Sequence, residues 1–94
     1  MITISDCVKA YTKTNLAPAV TVGISNGYAH PLSVILLSKG LKQDSIYDYF
    51  GADYVTEFNR GFYARPQEKS YNIENYNQGK EIREKILSNT LLAS

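Results

Sequence analysis

The side chains of this sequence that could do chemistry are few and scattered. His30 is its only histidine and Cys7 its only cysteine, and the acids of its middle third form two i, i+4 pairs, Asp44 with Asp48 and Asp53 with Glu57. Because His30 precedes Pro31, it is held extended at the mouth of the helix that the proline opens. The positive end of that helix disfavours a protonated ring, which places a neutral imidazole where it could touch an anionic ligand or act as an electrophile. No base, nucleophile or second ligand accompanies it, so a structural role is the simpler reading. Cys7 shares a helical face with Ile4, Val8 and Tyr11, where small buried thiols pack. Two acids one turn apart could hold a cation or divide acid and base roles. Carboxylate metal sites need more ligands, however, and Asp44 and Asp53 stand where acids favour a helix start. Both pairs read as solvated faces. With no zinc spacing, phosphate loop, nucleophile elbow or dinucleotide fingerprint, the expectation is a protein that is not an enzyme and takes neither metal nor cofactor.

The elements that must position these residues are short. Thr3 caps a first helix, with Asp6 three residues on in a capping box, and Asn15 closes it in the left-handed conformation. From Leu16 to Ala29, Pro18 and the turn residues Asn26-Gly27 indicate a strand-like loop or minimal β-hairpin within residues 18–28. Pro31 opens a helix running to about Lys39, with Gly40 as its stop. Val34, Ile35, Leu36 and Leu37 point all round its axis, as in a central, buried helix. Asp44 or Ser45 starts a short helix that Gly51 ends. The next carries Tyr54, Phe58 and Phe62 as an i, i+4, i+8 row, with Gly61 as a break or a stop. Arg65-Pro66 forces a loop, and Ser70 or Asn72 opens a last helix whose apolar face is thin and has Gly79 as a flat spot. The predicted architecture is mainly α: four to five short helices around residues 31–39.

Most of the aromatic residues lie between Tyr47 and Tyr76, interleaved with Arg60 and Arg65. Aromatic-arginine interleaving suits stacking on single-stranded nucleic acid, but the helical period of the row points it at a core, and tyrosine is also enriched at protein interfaces. The segment from Leu32 to Gly51 resembles a helix-turn-helix: an apolar helix, a turn at Gly40, and a capped second helix with Ile46 and Tyr49 or Phe50 facing inward. That resemblance implies DNA recognition by the second helix. Three features depart from it: Leu36 stands where a small residue is preferred, Lys39 where an apolar one is, and Asp44 and Asp48 would meet phosphate.

Ninety-four residues suit a single domain, 1–94, burying roughly 60–70% of the surface of its unfolded chain. A hydrophobic fraction of 44% with 20% charged residues is ordinary for a folded chain. The net charge of +1 supplies no long-range attraction to polyanions, although residues 44–59 carry four acids and no base. One cysteine excludes an internal disulfide, the start MITISDCVKA is unlike a secretory signal, and no apolar run could span a membrane. A cytoplasmic location is expected. The leading functional expectation is an interaction or regulatory module, acting on a protein partner or a second copy of itself. Its surface would comprise the acidic, tyrosine-rich middle and the C-terminal helix: Tyr47, Tyr49, Tyr54, Arg60, Tyr63, Arg65, Leu91 and Leu92. Nucleic-acid binding through residues 32–51 is the second reading, and a catalytic or anion site at His30 the third.

Overall fold

Helix α2, Pro31–Ser38, has Pro31 through Leu36 all buried in the computed structural model, which describes residues 2–93 with the Glu68 side chain excepted. Its apolar circumference leaves it no solvent face of its own except near Leu37, which is partly exposed. Gly40, at φ +72°, ends it. The Leu41 N–H then donates to the Leu36 carbonyl at 3.0 Å and the Gly40 N–H to Leu37 at 3.0 Å, the two bonds of a Schellman closure.

Helix α1, Ile4–Thr14, begins with the expected box: Asp6 N–H donates to Thr3 Oγ1 and Thr3 N–H to Asp6 Oδ2, at 3.1 and 2.9 Å. Asn15 closes it at φ 58°. Its buried face of Cys7, Ala10 and Tyr11 packs on α2. Of the two readings of the loop, strand-like or a minimal hairpin, the structure has the hairpin, with one addition. Strands β2, Ile24–Ser25, and β3, Tyr28–Ala29, pair antiparallel across Asn26 and Gly27, whose φ values of 52° and 83° are both positive, as a type I′ turn requires. Strand β1, Ala17–Pro18, adds to β3 in parallel. The Tyr11 hydroxyl donates to the Ala29 carbonyl at 2.7 Å, fastening this small sheet to α1.

A 3-10 turn at Gln43–Ser45 leads into α3, Ile46–Phe50; Gly51 at φ 90° redirects the chain into α4, Ala52–Phe62. After a 3-10 turn at Gln67–Lys69, α5 spans Ile73–Leu87, capped by Asn72 Oδ1 accepting from Asn75 N–H. Gly61 and Gly79 are neither a break nor a flat spot. A Cβ on Gly61 would lie 1.9 Å from the Tyr76 carbonyl oxygen, and one on Gly79 would lie 2.0 Å from that of Phe58. The two glycines let the backbones of α4 and α5 touch where the helices cross. Around that crossing Phe58, Phe62, Ile82 and Ile86 join Leu32, Val34 and Ile35 in one core, and Leu91 folds back into it.

Candidate functional site

His30 is 3% exposed and belongs to the interior. As the N-cap of α2 its Nδ1 accepts the Leu32 N–H at 3.0 Å, so Nδ1 carries no proton. The proton of the neutral ring therefore sits on Nε2, 2.8 Å from Asn59 Oδ1. Phe62, at 4.5 Å between ring centroids, with Phe58 and Tyr63 at 5.9 Å, encloses the ring. Burial among these rings pulls its pKa down to about 4, against the smaller opposing effect of the Asn59 hydrogen bond. Both nitrogens are engaged and no cavity reaches them among those described below. Cys7 is equally interior, its thiol pushed up to about 12 by burial and then by Asp6.

The residues predicted for one interaction surface fall on three separate depressions. Tyr49 and Tyr54 line a groove of about 490 Å³ between α1, the end of α2 and the α3–α4 corner. Arg60, Tyr63 and Arg65 line an open cleft of about 500 Å³ at the C-terminal end of α4. Leu91 and Leu92 border a smaller hollow of about 200 Å³ with Tyr28 and Ile86. Within it Leu92 is 51% exposed, whereas Leu91, at 1%, is a core residue because the chain after α5 turns back onto the sheet side. Tyr47 is exposed and lines none of the three.

The groove is basic, not acidic. Its floor is Ile2, Ala10, Ile35 and Phe50, and its rim carries Lys9, Lys13 and Lys39 against, among the described residues, one acid, Asp6. The Lys13 ammonium donates to the Ser38 carbonyl at 2.7 Å, which ties α1 to the end of α2. That of Lys39 stands 5.9 Å over the Tyr49 ring. Asp6 is spent on its capping box: the Thr3 N–H holds its carboxyl below the usual range, with Lys9 and Lys39 adding to the effect. The Tyr54 hydroxyl accepts from Ile2 N–H at 3.2 Å and donates to Gln78 Oε1, while Gln78 Nε2 donates to the Ile2 carbonyl. This network fastens the start of the chain to α4 and α5 and forms the back wall of the groove. Sequence reasoning missed the groove because Lys9 and Lys13 lie on α1 and Lys39 just past the end of α2, and their side chains are routine surface residues until the two helices pair.

The acids do not form two solvated pairs. Asp44, Asp48 and Asp53 are exposed, but Glu57 is fully buried and neither carboxylate oxygen has a hydrogen-bond partner. Glu57 precedes Gly61 by one turn on the same helix face, and the close approach at Gly61 brings α5 over it. Among the described residues no three His, Cys, Asp or Glu side chains gather as a metal set, and no helix is long and apolar enough to cross a membrane. The second arm of the helix-turn-helix resemblance is the five-residue α3, with Tyr47, Asp48 and Tyr49 outward and no base. No protein-family model, curated protein or solved structure matches the chain. Its surface chemistry rests on its own atoms.

Proposed function

We propose that the protein is a non-enzymatic binding module whose working surface is the lysine-rimmed groove, and that its partner is an acidic, amphipathic peptide segment of another protein. The observation that carries this is the pairing of an apolar floor with a basic rim: Ile2, Ala10, Ile35 and Phe50 below Lys9, Lys13 and Lys39. Such a groove rewards a ligand that brings apolar side chains to the floor and carboxylates to the rim. The charges steer and select, and the burial of the floor supplies the affinity. Tyr49 and Tyr54 suit this use, since each offers a large ring with little rotamer freedom to lose. The interior placement of His30 and Cys7 supports a binding role over a catalytic one, and the base-free α3 gives no support to DNA reading.

The test is fluorescence anisotropy with a labelled peptide alternating Leu or Phe with Asp and Glu, compared with the same peptide carrying Asn and Gln. The acidic form should bind at least about tenfold more tightly, and Lys9→Glu with Lys39→Glu should erase that preference. Equal binding of both forms, or an unchanged preference in the double variant, would refute the assignment. Sedimentation at the same concentrations separates peptide binding from self-association.

A further inference from the structure

We infer that the cleft at the end of α4 is a second, independent site, one for a phosphate-class dianion. Its lining brings Arg60, Arg65 and Lys69 together with Asn59, Thr56 and Tyr63, and no carboxylate lines it among the described residues. Arg60 is fixed: its Nε–H donates to Ser70 Oγ at 3.2 Å and its Nη2 to the Pro66 carbonyl at 3.0 Å. Two of the five guanidinium N–H groups are used there, which leaves the others as donors on a pre-oriented plane, the form of arginine suited to phosphate. Arg65 is brought to the same cleft by the closure of α4. Its N–H donates to the Arg60 carbonyl at 2.8 Å over Ala64, which takes the left-handed conformation at φ 56°.

Asn59 supplies the discriminating group. Since His30 Nδ1 accepts from the backbone, its Nε2–H must donate, and the atom receiving it must be the Asn59 carbonyl oxygen. The amide orientation is thereby set from inside the core. Nδ2, with its two hydrogens, is the end of the side chain not tied to His30, on a residue that lines the cleft. Two guanidinium groups, an ammonium and a fixed amide donor, with no carboxylate beside them among the described residues, match an oxyanion carrying two charges. His30 acts here as a positioning residue that never touches the ligand.

The experiment titrates inorganic phosphate into the intact chain at low salt while side-chain amide and arginine Nε–H signals are followed by NMR, with chloride at matched ionic strength as reference. A saturating shift of Asn59 and Arg60 with phosphate, absent with chloride, is expected. Asn59→Asp keeps the acceptor for His30, and so the fold, but sets a carboxylate in place of the donor; it should weaken phosphate by at least about tenfold. Arg65→Gln, an exposed change, should weaken it too. Parallel titrations of phosphoserine and adenosine monophosphate show whether the phosphate arrives on a peptide or a nucleotide, tighter binding of either than of free phosphate naming the source. Linear shifts that chloride reproduces, or phosphate binding undiminished in a folded Asn59→Asp, would overturn the site. The acidic-peptide experiment on the groove is indifferent to either result.

Discussion

Above the carboxylate range, acidification should loosen this protein through one buried side chain, His30. Its Nδ1 accepts the Leu32 N–H, so a second proton cannot be added without breaking the cap of α2, the helix on which the core is built. Burial holds the folded ring to about 4, against 6.5 in the unfolded chain. Between those values the unfolded chain binds a proton that the folded chain refuses, so stability rises with pH through the window; the contribution is complete above 6.5 and lost below 4. The gap is equivalent to about 3 kcal/mol; somewhat under half of it should be gone at about pH 5.5 and most of it at about pH 4.5. Urea unfolding across this range, on the protein and on His30→Asn, reads the effect. Asparagine keeps a capping acceptor but does not titrate, so its curve should be flatter by those amounts whatever its stability at neutral pH. Direct NMR titration of the ring supplies the second measurement. A ring that titrates near 6.5 in the folded state, or parallel pH profiles for the two proteins, would refute the reasoning.

Three other perturbations follow from the packing. Gly61→Ala and Gly79→Ala each drive a Cβ to within 2.0 Å of a backbone oxygen on the facing helix, so α4 and α5 must part. Even after the helix-propensity gain of alanine, each should lower the stability by at least about 2 kcal/mol in thermal melts, and an unchanged melting temperature would contradict the crossing. Glu57→Met keeps a linear side chain and removes a buried carboxylate that has no partner. It should raise stability by about 1–3 kcal/mol in urea unfolding, whereas a loss would mean the carboxylate is satisfied. Ala64→Gly relieves the left-handed backbone after α4 and should add about 0.5–1 kcal/mol, read as a higher urea midpoint; a lower midpoint would show that the Ala64 methyl is needed for packing.

What could be read from the chain beforehand was whatever depended on neighbours in sequence. The Thr3–Asp6 box, the stop at Gly40, the Asn26-Gly27 turn and the all-apolar circumference of α2 are decided within a few residues, and each stands where its local chemistry places it. What could not be read depends on residues meeting across the fold. Gly61 alone looks like a helix end and Gly79 alone like a defect; only opposite each other's helices do they become a contact. Glu57 follows the same logic, since an acid one turn from Asp53 reads as solvent-facing until α5 is known to cover that strip. The parallel pairing of Ala17–Pro18 with β3 was hidden because two-residue strands leave no alternation to detect. Leu91 and Leu92, adjacent and alike in type, part company because the chain turns between the core and solvent there.

The features that run against local stability converge on α4. Glu57 is buried without a partner, Asn59 presents an amide oriented by a histidine that forgoes its charge, and Ala64, just past the end of the helix, takes a backbone conformation better suited to glycine. A core helix under selection for stability alone would carry none of these, since each has a simple replacement of similar volume. The same helix also holds residues from both of the larger depressions: Tyr54 closes the back of the lysine groove, while Thr56, Asn59 and Arg60 line the cleft at its C-terminal end. Cost and surface chemistry therefore share one element. Stored strain of this kind persists where the surroundings over-determine it, and here they do: Gly61 and Gly79 clamp α4 to α5, and His30 and the Tyr54–Gln78 network bind it to α2 and the start of the chain. Helix α4 is thus held from several sides, which is the rigidity that the two proposed sites require of the residues they draw from it.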